Sequence, residues 1–225
     1  MTIKQQQNPR SHIVRYLTIV AMSDTHELHR EIDVPFGDLL IHAGDFTMFS
    51  RSAAAILDFN EWLGELPHRF KLVVPGNHEF FLAEDPSRRS LISNATVLVN
   101  EGVEIMGLKI WGSPTTLAMG GAFSLSSAKD RRMLYSQIPD DTDVVITHGP
   151  PYGILDHSPC LNFHQGCREL RDAVLRVKPL LHVFGHIHGV HDVVSNENTV
   201  FVNAALLGLD GELSSPATVL RLPKL

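Results

Sequence analysis

Five short motifs rich in carboxylate, amide and imidazole side chains follow one another along the 225-residue chain. These groups are the oxygen and nitrogen ligands that proteins offer to divalent transition metals. Together they provide enough ligands for two metal ions. The motifs are Asp24-Thr25-His26, Gly44-Asp45, Gly76-Asn77-His78-Glu79, Thr147-His148-Gly149 and Gly185-His186-Ile187-His188.

Almost every motif follows a short apolar run rich in β-branched residues, which is typical of a buried strand. In open α/β sheets, ligands bind in the crevice beyond the carboxyl ends of the strands. Five such strand ends therefore predict one shared site. The predicted strands are Tyr16–Ala21, Leu39–Ile41, Leu72–Val74, Val144–Ile146 and Leu181–Phe184.

The first three motifs offer different metal-binding atoms. Asp24 and His26 are two residues apart, so both side chains can reach one ion. Asp45 follows a glycine, and its two carboxylate oxygens suit it to bridge two cations. Asn77 offers a neutral oxygen, and we expect the adjacent His78 to point elsewhere and to take a different role. Taken alone, Asp24 also fits a helix cap.

The histidines of the last two motifs complete the set. His148 stands alone, whereas His186 and His188 are spaced to face the same way, although a loop could also direct the two rings toward different ions. A single histidine at a strand end also fits a purely structural role. Coincidence is a poor explanation for the whole ordered set, because nearly every ligand has a neighbouring glycine and a preceding strand.

The remaining pattern predicts the scaffold. Helical spacing or helix-boundary residues indicate helices over 52–66, with Ser50 or Ser52 as cap, and over 86–92, 128–138 and 167–177. Alternating residues predict further strands over 97–99, 103–106, 108–111, 190–194, 200–202 and 219–222. We therefore predict an α/β fold in which two mixed sheets face each other, with helices on the outer faces.

Composition limits the function classes. We predict one domain over residues 1–225, with a flexible N-terminus at 1–13, because no low-complexity linker divides the chain. The net charge of −6 argues against duplex nucleic acid as a partner. Neither a signal peptide nor an apolar run of about 18 residues is evident, so we expect a soluble, cytoplasmic protein without membrane association. Cys160 and Cys167 are expected to be reduced thiols.

The five motifs resemble those of the calcineurin-like metallophosphoesterase superfamily, whose pattern is D-x-H, G-D, G-N-H-[DE], a His followed by Gly, and G-H-x-H. Residues outside this pattern are similar to the MPPED-type metallophosphodiesterases of animals and their bacterial relatives. The resemblance implies a four-layer α/β/β/α sandwich. The segments that carry the closer match are Pro35–Asp38, His42–Thr47, Phe59–Gly64, Thr147–Pro151 and His182–Gly185.

The resemblance also implies a role for each site residue. It assigns the ligands to a first metal (Asp24, His26 and His188), to a second metal (Asn77, His148 and His186) and to a bridge between the two (Asp45). The nitrogen-rich set favours Mn²⁺, with Fe, Co, Ni or Zn as alternatives, over Mg²⁺. We expect His42 and Glu79 to lie behind the ligands and orient them.

The implied reaction is phosphodiester hydrolysis, with a metal-bridged hydroxide attacking phosphorus and His78 protonating the leaving group. A small phosphate ester such as a cyclic nucleotide is the expected substrate, and the oligomeric state stays open. The segment Gly112–Lys129 has few aromatic residues, so base stacking is reduced if that segment walls the pocket. The other histidines are expected to be surface or packing residues: His12, His29, His68, His157, His164, His182 and His191.

Two other enzyme activities of this superfamily fit the sequence less well. A Ser/Thr protein phosphatase of this superfamily continues its second motif with Asp-Arg-Gly, whereas this chain reads Asp45-Phe46-Thr47. A DNA-repair nuclease is disfavoured by the acidic balance. Two alternatives stay open: a phosphomonoesterase of small esters and, less favoured, a non-catalytic scaffold on the same fold.

Overall fold

The computed structural model describes residues 16–49, 51–117, 120–159 and 161–223. Five sequence predictions fall wholly or partly outside these ranges. They concern the flexible N-terminus at 1–13, His12 as a surface or packing residue, Ser50 as a helix cap, the thiol of Cys160, and residues 118–119 of the segment Gly112–Lys129.

The first sheet has five strands in the spatial order β13-β1-β2-β3-β4. The strands β1 to β4 are parallel, and β13 runs antiparallel to β1 at one edge. Because neighbouring strands of β1 to β3 are parallel, their carboxyl ends lie on one edge of the sheet. The bounds are β1 (Tyr16–Met22), β2 (Leu39–His42), β3 (Phe70–Val73), β4 (Thr96–Val97) and β13 (Thr218–Pro223).

The second sheet has six strands in the order β11-β12-β10-β7-β6-β5. Its four central strands are parallel, and the outer strands β11 and β5 pair antiparallel with their neighbours. The bounds are β5 (Glu101–Ile105), β6 (Leu108–Ser113), β7 (Val144–Thr147), β10 (Leu181–Phe184), β11 (Asp192–Ser195) and β12 (Val200–Asn203).

The two sheets pack face to face. Alternate side chains of β1, such as Ile19 and Ala21, share one buried cluster with Ile110, Ile146 and Val183 of the second sheet. The opposite face of the first sheet packs against helix α1 (Ala53–Glu65). The opposite face of the second sheet packs against helices α3 (Ala128–Tyr135) and α4 (Arg168–Val177). The predicted α/β/β/α sandwich is confirmed.

Most predicted elements are present with small shifts of their ends. Helix α1 begins after Ser52, and the segment predicted as a helix over 86–92 forms a 3₁₀ helix over Pro86–Leu91. Three features were not predicted: a 3₁₀ helix (His29–Glu31), the short helix α2 (Phe80–Glu84) and a small hairpin of β8 (His157–Ser158) and β9 (Phe163–His164). Within the described ranges, no helix is long and apolar enough to cross a membrane.

Candidate metal centre

The five motifs meet at the edge where the two sheets come together. The first sheet contributes the loops after β1, β2 and β3, and the second contributes the loops after β7 and β10. Hydrogen bonds join these loops across the sheets. His186 N donates to Asp24 Oδ2 at 2.9 Å, and His148 Nδ1 contacts the carbonyl oxygen of Ala43 at 2.9 Å.

The backbone at several of these positions adopts a left-handed conformation that non-glycine residues rarely show. The φ angles are 55° at Asp24, 40° at His26, 52° at Asp45 and 72° at His186. Such strain of about 1–3 kcal/mol per residue persists only where surrounding contacts enforce it, and it clusters at functional sites. The loops are therefore shaped to aim these side chains inward.

One group of ligand atoms comes from Asp24, His26 and His188, which lie within 4.8 Å of one another. His188 Nε2 is 3.3 Å from both Asp24 Oδ1 and His26 Nε2. Asp24 is fully buried, yet its Oδ1 has no hydrogen-bond partner among the described residues. A buried carboxylate oxygen without a donor is costly, and a cation at this point would compensate it.

A second group comes from Asp45, His148 and His186, again within 4.8 Å. Asn77 joins it, because its Oδ1 is 2.9 Å from His148 Nε2. The Nδ1–H of a neutral His148 donates to the carbonyl oxygen of Ala43, so its Nε2 carries a bare lone pair. That lone pair faces Asn77 Oδ1 and, at 3.2 Å, Asp45 Oδ2. Three acceptors converge there, and a cation or a proton must lie among them.

Without a cation, a proton on His148 Nε2 would lie among these acceptors. Burial opposes the charged form of His148, but Asp45 and then Asp24 outweigh it and raise the pKa of His148 to about 9. Burial likewise opposes ionisation of Asp24, yet the nearby imidazoles of His188, His148 and His26 hold the pKa of Asp24 below its usual range. Burial lowers the pKa of His186 to about 4, which leaves this ring neutral and able to ligate.

Asp45 lies between the two groups. Its Oδ2 is 3.9 Å from His26 Nε2 on one side and 3.2 Å from His148 Nε2 on the other. The side chains of Asn77 and His78 diverge: Asn77 contacts His148, whereas His78 Nε2 lies 3.8 Å from Asp45 Oδ2 on the side of His26. His26, Asp45 and His78 form a third group of atoms within 4.8 Å of one another, and His78 also lines the cavity above it.

His42 and Glu79 lie behind these side chains. Burial lowers the pKa of His42 to about 3, so its Nδ1 accepts from Gly44 N and its Nε2–H donates to Thr25 Oγ1 at 3.1 Å. The buried Glu79 accepts from Asp45 N and Thr47 N, both at 3.0 Å. The two residues join the loop after β2 to the loops after β1 and β3.

Close packing explains two of the motif glycines. A Cβ at Gly185 would collide with Asp24 Oδ2 and with Ser23, and a Cβ at Gly76 would collide with Asp45 Oδ1. Both carboxylates therefore rest against bare backbone. Any side chain at either glycine would displace them.

A cavity of about 290 Å³ opens above the two groups, lined by His78, His186 and His188 among others. Its rim carries exposed apolar side chains that the sequence did not single out. Leu161 and Leu209 line the cavity, and the ring of Phe49 stacks on His78 with centroids 3.9 Å apart. Aromatic surface at the site thus comes from outside the segment Gly112–Lys129.

Comparison with known proteins agrees with this geometry. A sequence profile of the family described as "Calcineurin-like phosphoesterase" matches residues 17–190. The chain belongs to this family. It is therefore a metallophosphoesterase, and the family supports hydrolysis of phosphate esters with divalent metal ions.

Individual relatives match over most of the chain. It is 37% identical to human metallophosphoesterase domain-containing protein 1, over 92% of this chain and 72% of the relative. It is also 37% identical to a UPF0046 protein of Caenorhabditis elegans, over 93% of this chain and 76% of the relative. One similar solved structure is that of GAP50, described as the anchor in the inner membrane complex of Plasmodium. The alignment covers 93% of this chain, with a TM-score of 0.53 and 11% sequence identity. That likeness is one of fold.

Proposed function

We propose that this metallophosphoesterase is a dinuclear phosphodiesterase. The observation that carries the proposal is the position of Asp45, whose Oδ2 lies 3.9 Å from His26 Nε2 of the first group and 3.2 Å from His148 Nε2 of the second. A carboxylate in that position is suited to bridge two cations. A mononuclear site would leave one of the two groups without a function.

The residues present fit two ions. Asp24, His26 and His188 would hold the first, and Asn77, His148 and His186 would hold the second, with Asp45 shared. The unpartnered Asp24 Oδ1 and the acceptors that converge on His148 Nε2 support this assignment. Four imidazoles and one amide favour Mn²⁺ first, then Fe, Co, Ni or Zn.

When bound, the ions supply charge that neutralises phosphate oxygens and lowers the pKa of an attacking water. The protein supplies the rest. His78 lines the cavity with its Nε2 beside Asp45, where it can donate a proton to the departing alkoxide. The stacked Phe49 ring and the hydrogen bond from His78 N to Asp45 Oδ1 fix the orientation of His78.

A diester substrate is supported by the absence of cationic side chains in the cavity. Among the described residues, neither Lys nor Arg lines it. A monoester dianion is best held by additional cationic groups such as arginine. A diester carries one negative charge fewer and makes a smaller demand on the site. Cyclic nucleotides are the first natural diesters to test.

Two other functions are compatible with the same fold. A phosphomonoesterase of small esters would use the same ligands. A non-catalytic scaffold would need none of these ligands. In such a scaffold, burial of Asp24 and Asp45 would destabilise the fold without serving any function. The retained ligand set therefore favours an enzyme.

The test is hydrolysis of bis-p-nitrophenyl phosphate and p-nitrophenyl phosphate by chelated protein to which single metals are restored. We expect activity only after metal is restored, with a higher kcat/KM for the diester. Unchanged turnover with metal analysis showing empty sites would contradict metal dependence. A tenfold preference for the monoester, about 1.4 kcal/mol of transition-state binding, would favour the phosphomonoesterase.

A further inference from the structure

Two smaller spaces lie one after the other beside the cavity above the ligands. A narrow space of about 60 Å³ adjoins it and shares two of its lining residues, Gln165 and His186. That space shares Leu117 and His164 with a further cavity of about 260 Å³. The three spaces therefore adjoin one another, and together we call them the cleft. We call the first cavity the metal lobe, the narrow space the neck and the last cavity the distal lobe.

The distal lobe contains a cationic group without a counterion. The guanidinium of Arg168 lies over the ring of Tyr152, 3.7 Å from its centroid, and both residues line the lobe. Across the described ranges, the Arg168 side chain forms neither a hydrogen bond nor an ion pair. Its face is held by the ring, so its N–H groups stay free to bind a ligand in the plane of the guanidinium.

The neighbouring charges in the lobe are already paired. Arg131 donates to Glu169 at 3.0 Å and to the carbonyl oxygen of Leu125 at 2.8 Å. Glu169 is thereby neutralised, and the charge of Arg168 is not cancelled. The distal lobe therefore attracts an anion although the whole chain carries a net charge of −6.

A second donor or acceptor faces the same space. His164 Nδ1 is 2.7 Å from Oδ1 of the buried Asp156, and its Nε2 has no hydrogen bond within the part of the chain that the structure describes. Asp156 is itself fixed, because its Oδ2 accepts from Gly153 N at 2.9 Å and from Gly166 N at 3.0 Å. His164 was expected to be a surface or packing residue; it is exposed, and it lines both the neck and the distal lobe.

The neck limits what can join the two lobes. Leu117 and Phe163 line it, so the connecting part of a ligand is slender and partly apolar or planar. A cyclic mononucleotide has a single phosphate and would engage only the metal lobe. A ligand that uses the whole cleft needs a scissile diester at one end and a second anionic group at the other.

We propose that Arg168 and His164 form a distal anion subsite that binds a terminal phosphate on one ester arm of a linear phosphodiester. This inference rests on the proposed function for the identity of the scissile group. The planar fork of arginine matches a phosphate oxygen pair, and such charge-assisted contacts are about twice as strong as neutral ones. The subsite would select linear diesters that carry a second phosphate.

The test compares thymidylyl-(3′→5′)-thymidine with the same dinucleotide carrying a 5′-phosphate. Dissociation constants are measured by calorimetry with the metal-loaded protein, and kcat and KM are measured separately. The variants are Arg168→Gln and, as a matched control, Arg171→Gln, which removes an exposed arginine one turn further along α4. Bis-p-nitrophenyl phosphate, which has no second phosphate, reports the metal lobe alone.

We expect wild-type protein to bind the phosphorylated dinucleotide about tenfold more tightly, which corresponds to about 1.4 kcal/mol. Arg168→Gln should remove that preference, and Arg171→Gln should keep it. The expected change in turnover is in KM rather than kcat, with bis-p-nitrophenyl phosphate unaffected.

Equal binding of the two dinucleotides by wild-type protein would overturn the subsite. So would equal losses in the two arginine variants, which would indicate a general effect of surface charge. The binding measurement decides this whether or not the dinucleotides are cleaved. Absence of any hydrolysis, including that of bis-p-nitrophenyl phosphate, would instead contradict the proposed function.

Discussion

A single methyl group at Gly185 should destabilise the protein and disturb the metal centre at the same time. The Cβ of Gly185→Ala would lie 2.6 Å from Ser23 Cβ and would also collide with Ser23 Oγ and Asp24 Oδ2. Gly149 is a matched control, because it too adjoins a proposed ligand histidine. A Cβ at Gly149 would meet its nearest neighbours at 3.6 Å, which is ordinary contact. Neither glycine has a left-handed φ, so the comparison isolates steric overlap.

The magnitude follows from two local effects. Overpacking a tight site costs about 1–3 kcal/mol. Moving the Asp24 carboxylate also breaks its hydrogen bond from His186 N, and a hydrogen bond to a charged group is worth about 1.5–3 kcal/mol. The two effects share one contact and do not simply add. We expect Gly185→Ala to lose about 3 kcal/mol in free energy of unfolding, and Gly149→Ala to lose less than about 0.5 kcal/mol.

The assay is urea unfolding of chelated protein, so that ion binding does not contribute to the measured free energy. With a slope of about 2–3 kcal/mol per molar urea, the midpoint of Gly185→Ala should fall by roughly 1 M. Metal titration should then give a weaker first site, because Asp24 has moved. If Gly185→Ala unfolds at the same midpoint as Gly149→Ala, the claimed close packing at the centre is refuted.

Three further results are expected. Asp45→Asn should lower the metal content of both sites, whereas His26→Ala should mainly empty one; equal losses by mass spectrometry would remove the bridging role. His78→Ala should keep near-normal metal content and lose far more rate on esters with alkoxide leaving groups than on p-nitrophenyl esters. A uniform loss on both ester types would argue against His78 as proton donor. Asp156→Ala should lower the free energy of unfolding by about 2–4 kcal/mol, because the backbone N–H groups of Gly153 and Gly166 lose their acceptor. An unchanged urea midpoint would contradict the stabilising role of Asp156.

The sandwich and the gathering of the motifs were predictable because their signals are local. Buried parallel strands such as β2 and β10 are short apolar runs, and the polar motif after each run marks its carboxyl end. The close approach of backbone to Asp24 and Asp45 also left a signal, in the glycines at 185 and 76. Each of these features depends on residues adjacent in sequence.

The walls of the cleft were not predictable because they depend on distant contacts. Strands β8 and β9 have two residues each, too few for an alternating pattern. The residues that flank this hairpin are anchored by the buried Asp156, which looks in sequence like any surface carboxylate. The ring of Phe49 stacks on His78, and the backbone of Phe49 has a φ of 52°. A phenylalanine in the sequence does not predict this left-handed conformation. The sequence left open whether the segment Gly112–Lys129 walls the pocket; of its described residues, Leu117 lines the neck and distal lobe.

The position of the centre at the meeting edge of the two sheets has a consequence for biosynthesis. The contacts that join its two sides connect residues 105 and 162 positions apart in the chain. A chain that emerges from the ribosome from its N-terminus exposes Asp24, Asp45 and Asn77 well before His148 is made. The first half alone cannot assemble either group in full. Completion of the first and second groups is then a late event in maturation, because His148, His186 and His188 are synthesised after the other ligands.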